Sequence, residues 1–354
     1  MKKALIASTA LVLTAGAAAA DVTISGYGRT GVIYYEDGLQ NEVVEGGILR
    51  SGSDSQVISR LRMNIDAATS TDQGVDFGAR FRIQWDQNGD NSGELNAGKL
   101  YVTSSGLTVE VGNVDTALDS AGLIYGSELG SYDRSVGGNA LGSFFAYESE
   151  AYEDNDRLGV AATYAVENLE VRFSYVDPDQ TGLNEDFIPD DPFSGDDEEF
   201  NAKEEFSFSV DYTWNERLEL SGGFALNGAG IDDHDVYFVG ARYAVMENAR
   251  IGLNWIDNGD AGSLTGISSD PTNPNVIEDF GNTVTLYGDY TLADGLTNIE
   301  AYIANNSGDW TQKETDNSFG IGVNYDLGGA RLGASLQRDY QERVTADMGV
   351  RFDF

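Results

Sequence analysis

Five arginines stand where fixed charge would be useful and bond-making chemistry would not. Arg29, Arg60, Arg62, Arg80 and Arg82 each fall on the polar side of a run in which apolar and polar residues alternate. A guanidinium stays charged even when partly dehydrated and offers a rigid fork that hydrogen-bonds carboxylates. Between Asn113 and Asp156 the alternation lapses, glycines and serines multiply, and Asp115, Asp119, Glu128 and Asp133 fall close together. A basic set facing an acidic set across a gap would create a transverse field. The plainer reading is that the arginines pair with neighbours such as Asp66 and Asp76. Five mid-strand arginines at one level exceed what local pairing needs, which favours the field.

Covalent and metal chemistry have little to build on. There is no cysteine, and the one histidine, His234, lies in Ile231-Asp232-Asp233-His234-Asp235, a loop composition. A Ser-His-Asp hydrolase therefore lacks its parts, and nothing marks a catalytic carboxylate pair. Gly26-Tyr27-Gly28-Arg29-Thr30-Gly31 matches a dinucleotide fingerprint, but that motif needs a helix after it, and here a strand pattern runs on through Val32 and Tyr34. Asp86, Asn88 and Asp90 imitate a calcium loop, yet Asn91 sits where that loop needs glycine. The acidic loops still offer Ca²⁺ the right ligand types; solvated negative loops are the simpler reading, with no cofactor.

The elements that carry these residues are strands. Val75 to Trp85 sets Val75, Phe77, Ala79, Phe81, Ile83 and Trp85 against Asp76, Arg80, Arg82 and Gln84. Similar runs open at Val22, Val57, Lys99, Leu107, Arg157, Leu169, Glu205, Leu218, Val236, Ala249, Thr283, Thr297, Ser318, Ala330 and Val344. That gives about sixteen strands, an even number as single-chain membrane barrels require. Short turns such as Asn168 and Leu327–Gly329 alternate with mostly longer, acidic, glycine-rich connections such as Asp177–Lys203. A β-sandwich has no reason to sort its loops in this way.

The apolar faces sharpen the reading. In the strand cores no Asp, Glu, Lys or Arg falls at the apolar parity. A charge facing lipid at mid-membrane costs roughly 2–4 kcal/mol, whereas a soluble barrel would tolerate some. Trp85 and Trp255 fall at one set of strand ends, and Trp214, Tyr243, Tyr290, Tyr325 and Phe352 at the other, as two interfacial girdles would. The expected fold is all-β, a transmembrane antiparallel up-and-down barrel. Around forty irregular residues at 113–156 are far too many for a hairpin connection, so this third loop is expected to fold into the enclosed space.

Residues 1–20 read as a cleaved signal peptide: Lys2 and Lys3, an apolar run from Ala4, then Ala18-Ala19-Ala20. Residues 21–354 form a single barrel domain. The whole chain carries 59 acidic and 21 basic residues; without the two leader lysines the balance is 19 to 59, a net charge of −40. This excludes nucleic acid as a partner. An exported chain without cysteine must be stable without disulfides, which suits a long barrel.

Ser25-Gly26-Tyr27-Gly28-Arg29-Thr30-Gly31-Val32, the block from Ser59-Arg60-Leu61-Arg62 to Gly78-Ala79-Arg80-Phe81, Gly322-Val323-Asn324-Tyr325-Asp326-Leu327-Gly328-Gly329 and the ending Ala346 to Phe354 resemble a general diffusion porin of the alphaproteobacterial type. The resemblance covers essentially the whole mature length. It implies a sixteen-stranded barrel in the Gram-negative outer membrane, a homotrimer, and contact with outer-membrane lipid and lipopolysaccharide. It also implies a C-terminal strand whose Phe352 and Phe354 are read by the barrel-assembly machinery, and a third loop forming a constriction. The expected function is a passive channel for small hydrophilic solutes and ions, mildly cation-selective and not an enzyme. The alternative is a barrel acting mainly as an adhesive or receptor surface through its acidic external loops.

Overall fold

A computed structural model describes residues 21–36, 43–45, 48–50, 54–86, 93–125, 127–129, 135–136, 158–177, 203–230, 233–261, 278–309 and 313–354. The signal peptide assigned to residues 1–20, the acid Asp133 and most of Asp177–Lys203 lie outside the described residues.

Sixteen strands close into one antiparallel barrel. The first five are β1 (Asp21–Tyr35), β2 (Ser55–Ser70), β3 (Asp76–Asp86), β4 (Glu94–Ser104) and β5 (Leu107–Asn113). After the long loop come β6 (Leu158–Val166), β7 (Leu169–Val176), β8 (Glu205–Trp214), β9 (Leu218–Leu226), β10 (Val236–Met246) and β11 (Ala249–Asp257). The last five are β12 (Asn282–Thr291), β13 (Thr297–Asn306), β14 (Asn317–Asp326), β15 (Arg331–Arg338) and β16 (Val344–Asp353). Each strand pairs with its sequence neighbour, and β16 closes on β1 from Tyr27 opposite Asp353 to Tyr35 opposite Thr345. Closure leaves no strand edge to pair with another chain.

The barrel is apolar outside. Leu61, Phe81, Leu253, Ile321 and Leu336 lie on outward positions and are exposed, whereas the inward Ser207, Ser209 and Asn254 are buried. This inversion is what lipid outside and a polar interior demand. No helix among the described residues is long and apolar enough to cross a membrane; the crossing elements are strands. Outward Trp214, Tyr243, Tyr290, Tyr325 and Phe352 mark strand ends on the side of the chain termini, and Trp255 the opposite side.

One strand differs from the sequence reading. β4 begins at Glu94, not at Lys99. The register of β3 against β4 shifts between Arg80 and Arg82, so two residues of β4 oppose Phe81. This bulge reverses the parity. Leu95 and Leu100 are both outward, 62% and 65% exposed, although five residues apart, and a period-two template cannot follow such a step.

Candidate functional site

The described start of the long loop lies inside the barrel. Val114, Thr116 and Leu118 have no exposed surface. The wall beneath them offers short hydroxyls and a carboxylate at inward positions of β7, β8 and β9. Ala117 N donates to Ser174 Oγ at 2.8 Å and Leu118 N to Ser207 Oγ at 3.2 Å. Gly122 N donates to both oxygens of Asp211, at 2.9 and 3.1 Å, and Leu123 N to Ser221 Oγ at 3.4 Å. On β11, Asn254 Nδ2 donates to the Leu123 carbonyl at 2.8 Å. Arg172 holds Asp211 from the side through Nη1.

Hydrogen bonds alone do not account for the docking. The neutral ones are each worth about 0.5–1.5 kcal/mol net and those to the Asp211 carboxylate about 1.5–3, the same order as the roughly 1–2 kcal/mol needed to order one residue's backbone. Apolar burial decides the balance. Leu118, Ala121, Leu123 and Ile124 pack with Ala225, Val236, Phe238 and Ile256 of β9, β10 and β11 into one buried cluster. Those four wall residues are apolar at inward parity because the loop, and not water, covers them. Gly122 suits the close approach: a Cβ there would stand 3.0 Å from Asp211 Oδ1, so the carboxylate would have to give way slightly.

The loop then crosses toward β12 to β14. Ser127–Glu128 lies against β12 and forms a short ladder with Ser135–Val136. Leu129 is buried, and its Cδ1 is 2.8 Å from where a Cβ on Gly320 of β14 would be. The inward fold expected for 113–156 is thus present over its described part.

All five arginines named from the sequence stand on inward positions of β1, β2 and β3. Arg60 Nε bonds Asp86 Oδ1 at 2.5 Å, Arg62 Nε bonds Gln84 Oε1 at 2.6 Å, and Arg80 Nε bonds Asp66 Oδ1 at 2.6 Å. Arg82 Nε reaches Asn64 Oδ1 at 3.3 Å, and Arg29 lies over the Tyr27 ring at 5.8 Å. β9 and β10, where the loop packs, are eight strands round the barrel from β1 and β2. The loop therefore lines the wall opposite the arginines.

The named acids are not all on that far wall. Asp115 sits at the root of the loop, where Lys99 of β4 reaches it at 3.1 Å and Glu110 at 3.0 Å. Asp119 accepts a hydrogen bond from Tyr125 Oη within the loop. Glu128 is fixed by its backbone ladder. Asp133 is outside the described residues. Lys99, Tyr27, Asp211 and Asn254 were not singled out from the sequence. Their inward parity was legible; their partners come from strands far off in the chain.

At the seam, Gly26 N donates to Phe354 O at 2.8 Å and Phe354 N to Gly26 O at 2.9 Å. Phe352 and Phe354 form an outward aromatic pair with ring centroids 6.3 Å apart. Among the described residues no group of three or more His, Cys, Asp or Glu could hold a metal ion; the calcium-like Asn88 and Asp90 lie outside them.

The family described as Gram-negative porin matches residues 7–344. A curated relative, a porin of Fuscovulum blasticum, is 36% identical over 343 residues, which cover 94% of this chain and 100% of the relative. The solved structure of a mutant of Rh. blastica porin superimposes with a TM-score of 0.70 at 35% identity, covering 94% of this chain and 100% of that one. A triple mutant of Rhodopseudomonas blastica porin gives a TM-score of 0.67 at 32% identity over the same shares.

Proposed function

This chain belongs to the Gram-negative porin family, a β-barrel of the outer membrane and a passive channel through it, and we propose that it passes small hydrophilic solutes and ions with a moderate preference for cations. Flow is metered by the space between the inward loop and the arginine-bearing wall. The observation that carries this reading is the docking of residues 117–124 on β7 to β11, half a turn of the barrel away from Arg29, Arg60 and Arg62. Cations are favoured because acids greatly outnumber bases along the chain and crowd its longer connections. The arginines oppose this only locally. The acidic connections that would serve an adhesive surface instead fall largely outside the described residues, and conductance in planar bilayers separates the two readings.

The test is to shorten the loop between Gly122 and Gly138. Single-channel conductance should rise, and larger sugars should enter in a liposome-swelling assay. Unchanged conductance would mean that the loop does not limit flow.

The chain is further proposed to work as a homotrimer. Support comes from the outer face of β1 and β2, where Thr30 Oγ1 and Ser59 Oγ share a hydrogen bond at 2.9 Å beside the outward Gly26 and Gly28. Small and hydroxyl residues suit close contact with protein better than contact with lipid. Native mass in mild detergent decides between monomer and trimer.

A further inference from the structure

At the end of the barrel opposite the chain termini, one ring ties separate connections together. His234, in the connection from β9 to β10, has no exposed surface. Its Nδ1 lies 2.9 Å from the Gly228 carbonyl oxygen, and its Nε2 lies 3.1 Å from that of Asn258, just beyond β11. The backbone closes the same turn, with Gly228 N donating to His234 O at 2.6 Å. Asn258 in turn reaches the approach to β12. Its Nδ2 donates to Phe280 O at 3.3 Å, Gly281 O at 3.0 Å and Thr283 Oγ1 at 2.9 Å. Gly259 fits between the first two connections: its φ is +65°, and a Cβ there would stand 2.6 Å from Asp235 O and 3.1 Å from His234 Cδ2.

Both ring nitrogens thus meet carbonyl oxygens, which accept and never donate. A neutral imidazole carries one N–H. It would serve one carbonyl and turn a lone pair on the other, with no surface exposed to water. The imidazolium donates to both, and hydrogen bonds from a charged donor are the stronger kind. Burial opposes the charge, and the neighbouring acids oppose burial. Asp233 and Asp235 flank His234 in the chain, and Asp257 and Asp260 flank Asn258 and Gly259. Asp279 stands opposite Asp260 in a short ladder, with Glu278 beside it. β8 packs on the Gly228–Gly230 turn and opens with Glu205, a carboxylate without exposed surface; Glu204 precedes it. Lys203, whose N donates to Gly230 O at 2.8 Å, is the one base among the described residues of these connections.

The ring also sits close to the landing place of the inward loop. Val236 is two residues beyond His234 and Ile256 two before Asn258, and both belong to the buried cluster that receives Leu118, Leu123 and Ile124. We propose that His234 is a proton-controlled latch. As the imidazolium it binds the β9–β10 connection to the end of β11 and steadies the wall that carries the loop; on losing its proton it lets the two part. The sign follows from linkage. A base whose folded-state value lies above its unfolded one, about 6.5 for histidine, contributes stability that is complete below 6.5 and lost as pH rises through the folded value. The latch is closed in acid and opens toward alkali.

The sequence holds one histidine, so the ring signals of an untagged, histidine-labelled barrel in detergent micelles belong to it alone. A nuclear magnetic resonance titration should find both ring nitrogens protonated at pH 6.5, with a midpoint about one unit above that ordinary value. Hydrogen exchange at the Gly228 amide, corrected for the intrinsic effect of pH, is then followed from two units below the midpoint to two above. Protection should fall about tenfold, the equivalent of a one-unit shift. His234→Gln, which keeps a donor but does not titrate, should show the same protection throughout, and its heat-modifiability confirms that it folds. A midpoint at or below 6.5, unchanged protection in the wild type, or an equal loss in His234→Gln would overturn the latch. The titration is read on the unaltered chain, so it stands whether or not the variant folds. Neither measurement involves conductance, so failure of the latch leaves the channel reading intact.

Discussion

Asp211 grips Gly122 through both carboxylate oxygens, 89 residues along the chain from it. Arg172 completes the grip: its Nη1 bonds Asp211 and its Nη2 bonds Glu170 at 2.5 Å. The loop is thus held by a charged clamp flanked by neutral serine and asparagine bonds. Hydrogen bonds to a charged acceptor contribute about 1.5–3 kcal/mol, more than neutral ones. Asp211→Asn should loosen the middle of the loop while the Ser174 and Asn254 contacts persist. Open-channel current noise should increase, with barrel stability little changed. Gly122→Ala should act similarly by steric contact with Asp211. Wild-type noise in both variants would mean that the clamp does not restrain the loop.

Selectivity should respond oppositely to the two charge sets. Neutralising Arg60, Arg62 and Arg80 together is expected to increase cation preference. Neutralising Asp115, Asp119 and Glu128 should shift it the other way. Asp115 acts in that direction through Lys99, whose charge is then balanced by Glu110 alone of its two bonded acids. Both shifts should shrink with salt, because the Debye length falls from about 30 Å at 0.01 M to about 3 Å at 1 M. The measurement is the zero-current potential across a salt gradient. Movement of both variants in one direction would sink the assignment.

The barrel seam makes Phe354 part of the closure and not only a terminal label. Its backbone exchanges both hydrogen bonds with Gly26, and the ring of Phe352 lies where a Cβ on Gly28 would come within 2.5 Å. Deleting Phe354 should lower the outer-membrane yield of heat-modifiable protein without affecting export. Gly28→Val should do so too, by displacing the Phe352 ring. Normal yield of the Phe354 deletion, scored by gel mobility before and after heating, would argue against a role in assembly.

Asp294 organises the turn between β12 and β13. It accepts the Thr297 hydroxyl at 2.6 Å and the amides of Leu296 and Thr297 at 2.9 Å. These bonds, with the Thr297 hydroxyl foremost, hold its carboxyl below the ordinary value of 3.8. A lowered carboxyl stabilises the fold above its unfolded-state value, and the contribution is lost as pH falls through the folded one. Thermal unfolding of wild type and Asp294→Asn should therefore differ at neutral pH and converge in acid below 3.8. A constant difference across that range would assign the effect to something other than the carboxylate charge.

How much was legible beforehand follows from what each feature depends on. Alternation is a local property of the chain, so the sixteen strands, their apolar and polar faces and the break at Asn113 could be read from spacing alone. The inward parity of Arg29, Arg60, Arg62, Arg80 and Arg82 was legible for the same reason. Register is different, because it joins residues from separate strands. That Arg29 stands between Arg60 and Arg351, and that Asp115 meets Lys99, is decided only when the strands pair and the barrel closes. The bulge in β4 hid the start of that strand by reversing its parity between Leu95 and Leu100. The loop's landing place was hidden too. Val236, Phe238 and Ile256 look like ordinary core residues in sequence, and only the closed barrel, with its interior filled by Leu118 and Ile124, gives their inward side something apolar to meet.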